Sequence, residues 1–215
     1  MTAGLNGPRP TTLVWDFGGV LFRWDPAALM ARALPHRISV AHSAQHWKHQ
    51  FFGLPEGEWI AFDRGMLGVD DVVTGIAQRL DWSQAEVRAV VDAVPAELQP
   101  IEGSVRLLQA LHQRGHRLHF LSNMPAPLAD HLQHQHAFLA LFDSGIYSSH
   151  VHLAKPEAAI YALAQQRFGG DPATLLFIDD HPENIEAAQR HGWQALLFTG
   201  PDALAAELLD LGLID

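Results

Sequence analysis

The sequence predicts an α/β fold: a mostly parallel sheet with helices on both faces, interrupted once by an inserted all-helical subdomain. Three observations carry that expectation. From Gly103 onward, short apolar strands alternate with amphipathic helices, and such alternation implies right-handed crossovers and parallel pairing. One further strand pattern, Thr12–Trp15, stands alone far upstream. Between the two lie about 70 residues with apolar positions at three- and four-residue intervals and no strand pattern.

Taken in order, Thr12-Leu13-Val14-Trp15 reads as a short buried strand that runs into Asp16-Phe17-Gly18-Gly19-Val20. Glycines at 18 and 19 let the backbone turn tightly and present its N–H groups to a bound anion. Ligands of open α/β sheets bind beyond the carboxyl ends of the strands, so Asp16 is expected at the mouth of a cleft. The helical block follows, with helices expected over Pro26–Leu34, Val40–Phe52, Glu56–Arg64, Val69–Leu80 and Ser83–Val94. Asp25-Pro26 is a good helix start, and Ser83 with Glu86 three residues on is a capping-box pattern. Its tryptophans Trp24, Trp47 and Trp59 are expected mostly in the core of this small bundle, while Arg64-Gly65, in a turn, is expected to reach the cleft.

Alternation then resumes. Gly103–Arg114 is an expected helix closed by Gly115, and Arg117–Leu121 a strand ending in Ser122-Asn123. Pro127–Ala137 follows as a helix, Ser144–Ser148 as a short strand and Pro156–Phe168 as a helix stopped by Gly169-Gly170. Leu175–Ile178 is a fully apolar strand ending in Asp179-Asp180. Glu183–His191, Gln194–Phe198 and Asp202–Leu211 complete the chain as helix, strand and helix. The division expected is a three-layer, Rossmann-like core over residues 1–23 and 96–215, with a helical cap over 24–95.

Composition narrows the function. The chain has 215 residues, 48% of them hydrophobic, and a formal charge of −10, so a phosphate backbone would find no clustered Lys/Arg surface and nucleic acid is not an expected partner. No window approaches the ~20 apolar residues that span a bilayer, and Met1–Pro10 is polar, Gly/Pro-rich and read as a loose tail. A cytoplasmic monomer or homodimer is expected. The chain has no cysteine, which excludes disulfides, thiolate catalysis and cysteine-ligated zinc. His131, His134 and His136, and His150 and His152, form clusters that read as solvent-facing polar residues rather than a zinc site.

Polar residues collect at three strand ends: Asp16, Ser122-Asn123 and Asp179-Asp180, with Lys155 in a loop before a helix. Converging carboxylates repel by roughly 4 kcal/mol per close pair at an effective dielectric near 20. A cation between them removes that cost. Oxygen ligands without sulfur point to Mg²⁺, which takes one or two carboxylates plus waters and phosphate oxygens. Ser122, Asn123, the Gly18-Gly19 amides and Lys155 are then donors for a phosphate.

Together these residues resemble the four motifs of the haloacid dehalogenase-like (HAD) hydrolase superfamily, in order and at plausible separations: the Asp16-x-Gly-Gly-Val turn, Leu121-Ser122-Asn123, Lys155-Pro156-Glu157, and Asp179-Asp180 followed by Asn184. The helical insertion is similar to that family's type 1 cap. The resemblance implies a phosphatase of small phosphorylated metabolites, a sugar phosphate among the candidates. Asp16 would form an aspartyl-phosphate that water hydrolyses. Asp16, the Gly18 carbonyl and Asp180, with Asp179 directly or through water, would hold Mg²⁺. Asn184 would support them, Ser122 and Lys155 would stabilise the phosphoryl oxygens, and Arg64 is the candidate substrate contact from the cap.

One position departs from the family pattern. Its phosphatases usually read D-x-D, the second aspartate serving as general acid and base, and Gly18 stands there instead. General acid–base help is worth typically 10²–10⁴-fold. Three outcomes are open: a leaving group that needs little protonation, another residue in the role (a histidine or Asp25), or a site that binds without turnover. The D-x-G spelling resembles a subgroup that includes a glucose-1-phosphate phosphatase, which favours the first. A phosphosugar mutase and a metal-independent dehalogenase rank lower.

Overall fold

The computed structural model describes residues 10–39 and 42–215; the expected N-terminal tail, Pro10 apart, and the start expected at Val40 for the second helix lie outside them. Five strands form one parallel sheet: β1 (Thr12–Trp15), β2 (Arg117–Ser122), β3 (Ser144–Tyr147), β4 (Leu175–Asp179) and β5 (Gln194–Leu197), in the order β3-β2-β1-β4-β5. All pairings are parallel, and Trp15 stands between Phe120 of β2 and Ile178 of β4. The order reverses direction at β1, so β1 and β4 flank the point where a ligand crevice opens at the carboxyl edge of such a sheet.

The central strands β1, β2 and β4 are buried on both faces, as parallel strands between two helical layers must be. Leu13, Trp15, Leu118, Phe120, Leu176 and Ile178 belong to one apolar cluster. It is covered by α6 (Glu102–Gln113), α7 (Ala126–Gln135) and α10 (Pro201–Asp210) through residues such as Leu108, Leu132 and Leu208. Val14, Leu175 and Phe177 point into a second cluster under α8 (Ala158–Phe168) and α9 (Pro182–Arg190), which contribute Ile160, Tyr161, Ala164 and Ala188. The period-2 alternation along each strand sends neighbours to opposite faces and so builds the three layers.

Between Phe22 and Pro100 the chain leaves the sheet and returns. The exit and return segments pair with one another: Arg23 N–H donates to the Gln99 carbonyl at 2.8 Å and Ile101 N–H to the Leu21 carbonyl at 2.8 Å. The excursion is helical throughout its described length, comprising α1 (Pro26–Ala33), a 3₁₀ turn at Pro35–Arg37, α2 (Ala44–Phe52), α3 (Glu58–Asp63), α4 (Val69–Leu80) and α5 (Gln84–Glu97). Caps set several starts. Asp25 accepts from Ala28 N–H at 2.9 Å, Ser43 from His46 N–H at 3.2 Å, and Ser83 and Glu86 form the expected reciprocal box. The helix expected to stop at Val94 runs on to Glu97. Pro95 lacks only the bond to the preceding turn, and that loss is tolerated at a helix end where Leu98 N–H still reaches the Val94 carbonyl. Among the described residues, no helix is long and apolar enough to cross a membrane.

Candidate active site

Asp16 is the first residue beyond β1, and its N–H extends the ladder by donating to the Ile178 carbonyl at 2.9 Å. That bond sets it beside Asp179, the last residue of β4. Carboxylate oxygens of Asp16, Asp179 and Asp180 all lie within 4.8 Å of one another. The Lys155 ammonium is buried between two of them, 2.8 Å from Asp16 Oδ1 and 2.6 Å from Asp179 Oδ2. Lys155 sits in the loop before α8 because Asn123 grips its backbone: Lys155 N–H donates to Asn123 Oδ1 at 2.8 Å, and Asn123 Nδ2 donates to the Lys155 carbonyl at 3.0 Å.

The three acids have different surroundings. Asp179 is saturated: besides Lys155 it accepts from His181 N–H at 2.8 Å and from Asn184 Nδ2 at 3.0 and 3.1 Å. Asn184 is itself held through its carbonyl, which accepts from the Tyr161 hydroxyl at 3.1 Å. Asp179 thus orients Lys155. Asp180 has a buried oxygen, Oδ1, with no hydrogen-bond partner among the described residues. The Ser122 hydroxyl, at the carboxyl end of β2 beside β1, is buried and likewise unpartnered. Buried polar atoms are costly to leave unsatisfied, and among the unpartnered buried atoms of the described residues these two stand at the strand ends around Asp16.

Burial pushes the Asp16 carboxyl up to about 7, with Lys155 opposing and Asp179 and Asp180 adding to the rise. Asp180 is raised as well, first by burial and then by Asp179. Lys155 moves upward, because the two carboxylates outweigh the burial that would lower it. Three carboxylates therefore face one ammonium. A divalent cation fits both the orphaned Asp180 oxygen and this charge deficit, and the all-oxygen donor set suits a hard ion.

Gly19 is required by its surroundings. Its φ is +78°, and a β-carbon there would run into the Asp180 carboxylate. Gly18 is different: a β-carbon would meet only the Trp24 side chain at 3.7 Å, ordinary contact, so sterics do not exclude a side chain where the acid is missing. Asp25 is occupied as the α1 cap and does not supply that acid to the cleft. His181 lies at the rim, exposed, 3.9 Å from Asp180.

A cleft of about 760 Å³ opens over these residues, lined on the sheet side by Asp16, Gly18, Asn123, Lys155, Asp180 and Asn184. Arg64 is not among its lining side chains. Its guanidinium pairs with Glu157, and its carbonyl accepts from His152 Nδ1 at 2.8 Å. The residue before it, Asp63, is the one that lines the cleft. The Ser148 hydroxyl donates to the Asp63 carbonyl, which, with the Arg64 contacts, fastens the end of α3 to the sheet domain. The Asp63 carboxyl makes no hydrogen bond among the described residues, and burial pushes it up to about 8, with Lys155 opposing and Asp16 reinforcing. The turn expected to reach the cleft through Arg64 lines it through Asp63 instead; a guanidinium is conspicuous in a sequence, while a carboxyl at the end of a short helix carries no signal. Trp24 and Trp59 also line the cleft, whereas Trp47 packs edge-on against Trp82. Among the described residues the histidines form no cluster that would hold a metal.

A family model described as haloacid dehalogenase-like hydrolase matches residues 10–192. A sesquiterpene phosphatase from Aspergillus oryzae is 28% identical over 199 residues, covering 92% of this chain and 94% of its own length. The flavin mononucleotide hydrolase 1 of Arabidopsis thaliana chloroplasts is 25% identical over 175 residues, with 76% and 69% covered. Among solved structures, a HAD family enzyme from Bacteroides thetaiotaomicron in complex with magnesium and inorganic phosphate superposes with a TM-score of 0.69 at 20% identity, covering 89% of this chain and 95% of that one. The L-2-haloacid dehalogenase of Xanthobacter autotrophicus superposes with a TM-score of 0.63 at 20% identity over 94% and 83%. These likenesses establish a shared fold.

Proposed function

The chain belongs to the haloacid dehalogenase-like hydrolases, and on that premise we propose that it is a magnesium-dependent phosphatase acting on a phosphate monoester through Asp16, with α1–α5 as the cap over the cleft. One observation carries the reading: Lys155 bridges Asp16 and Asp179 while Asp180 Oδ1 and Ser122 Oγ remain buried and unpartnered. Relatives named as a sesquiterpene phosphatase and a flavin mononucleotide hydrolase support the phosphate monoester.

Asp16, Asp180 and the Gly18 carbonyl would hold the magnesium ion, with Asp179 behind them. When bound, the ion supplies positive charge against the phosphoryl oxygens. Asp16 attacks phosphorus; the phosphorus–oxygen bond to the leaving alcohol breaks and an aspartyl-phosphate forms. Lys155 and the Ser122 hydroxyl take the charge on the phosphoryl oxygens. Asp63 gives its proton to the departing oxygen and, now ionised, takes one from the water that hydrolyses the intermediate. Asp63 thereby fills from the cap the role that Gly18 cannot fill from the sheet.

The test is hydrolysis of p-nitrophenyl phosphate with magnesium, with EDTA, and with Asp16→Asn. Metal-dependent release of p-nitrophenol that falls at least 10³-fold in the variant is expected. Gly18 favours a second reading, a module that binds phosphate without turning it over. Equal inertness of wild type and variant on a broad ester panel would decide for it.

A further inference from the structure

We infer that the alcohol released by this site is a hydrocarbon one, so that the substrate is the phosphate monoester of an extended apolar alcohol rather than of a sugar. The inference rests on the phosphatase reading for the chemistry and on the cleft walls for the substrate class. At about 760 Å³ the cleft lies within the roughly 300–1,000 Å³ range of pockets that enclose a sizeable organic ligand, far more than the phosphate ester of a two- or three-carbon alcohol needs.

The lining contributed by the helical segment is mostly apolar. Trp24, Phe52 and Trp59 form a contiguous aromatic surface: Phe52 meets Trp24 at 5.4 Å and Trp59 at 4.6 Å, both edge-on, and the two indoles lie 6.5 Å apart at 20°. Leu54 and Ile60 extend it. Both are only half-buried and belong to neither core cluster, so packing of the protein does not account for them. Among the described residues of the helical segment, only Lys48 and Asp63 bring a polar side chain to the lining, indole N–H groups apart. Lys48 is exposed, and Asp63 is committed to the departing oxygen. Against this wall a sugar would bury hydroxyls without partners, a cost that recurs for each group, whereas a hydrocarbon gains with each methylene removed from water; the other polar side chains of the lining, among them Asn123, His181, Glu183 and Asn184, stand on the sheet side with the carboxylates. The sheet side continues the apolar lining with Met124 and Leu128.

The experiment measures binding and turnover separately. Binding of butyl-, hexyl-, octyl- and decylphosphonate, which cannot be hydrolysed, is followed by calorimetry with magnesium, below the concentration at which they form micelles. Half of the free energy of full burial gives about twofold tighter binding per methylene, on the order of 50-fold from butyl to decyl. Ile60→Gln should reduce the decyl-to-butyl affinity ratio at least fivefold, and Leu54→Gln repeats the test at a second position should the first variant not fold. Affinities flat across the series, an unaltered ratio in the variants, or hydrolysis of glucose 1-phosphate with a kcat/KM above that of decyl phosphate would overturn the inference. The two readings fail differently: chain-length-dependent binding without hydrolysis of any ester removes the phosphatase and leaves the apolar subsite, and metal-dependent hydrolysis without chain-length dependence does the reverse.

Discussion

Replacing Lys155 by methionine is the sharpest test of the electrostatics in the site. The ammonium is 2.8 Å from Asp16 and 2.6 Å from Asp179, with its side chain 1% exposed. Each pair is worth roughly 4 kcal/mol at an effective dielectric near 20, and the gross gain is reduced by the several kcal/mol needed to bury the ammonium. Methionine keeps the volume and removes the charge, so the cost is that of orphaned carboxylates. Breaking one side of a buried pair typically costs about 3–5 kcal/mol. The loss should depend on pH in a defined sense. A carboxyl raised by burial favours the folded state when protonated, so its contribution falls as pH rises from about 4, the unfolded value, toward its folded value of about 7. Below that value Asp16 is protonated in both proteins, and the variant loses only the partner of Asp179, about 1–2 kcal/mol. Above it, wild type ionises Asp16 against Lys155 while the variant holds its proton further up the scale. The gap then widens by up to about 1.4 kcal/mol per pH unit, until it reaches the full 3–5 kcal/mol. Urea unfolding of both proteins in EDTA at pH 6 and pH 9 measures it. A loss below about 1 kcal/mol at pH 9, or an equal loss at both pH values, would refute the argument that Lys155 is the counter-charge that permits this carboxylate cluster to be buried.

Two further outcomes follow from the geometry. With Asp63 as proton donor, wild-type kcat/KM for an alkyl phosphate should fall as pH rises through about 8; Asp63→Asn should abolish that alkaline limb and lower kcat/KM by about 10²–10⁴-fold, with less than a tenfold loss of kcat/KM on p-nitrophenyl phosphate, whose kcat still falls because hydrolysis of the aspartyl-phosphate needs the same base, and an unchanged limb would rule Asp63 out. Gly19→Ala places a methyl against the Asp180 carboxylate at a φ of +78°; the magnesium concentration for half-maximal activity should rise about 10- to 100-fold, as for a displaced metal support, and an identical magnesium titration would show that Asp180 is not held through this glycine.

The sequence by itself determined the layers of this protein and the chain positions of most of its chemistry. Apolar strands that end in Asp16, Ser122 and Asp179 are local patterns, and the alternation of strand and helix implies that parallel strands bring their carboxyl ends to one edge. What a local pattern does not contain is which ends become neighbours. The order β3-β2-β1-β4-β5 puts Asp16 against Asp179, and only then does one buried ammonium serve both. Consecutive residues at a strand end also divide their tasks, because their side chains diverge: the Ser122 hydroxyl is left free while Asn123 clamps the Lys155 backbone, and Asp179 is consumed in hydrogen bonds while Asp180 keeps an open oxygen. Asp63 belongs wholly to tertiary structure. It enters the site because Ser148, Glu157 and His152 of the sheet domain fasten the end of α3, contacts that join residues some 90 positions apart and leave no periodicity to read. The apolar roof is similar, since Trp59 and Ile60 obey the same helical spacing whether they face a core or a ligand, and only the packing of five helices decides which.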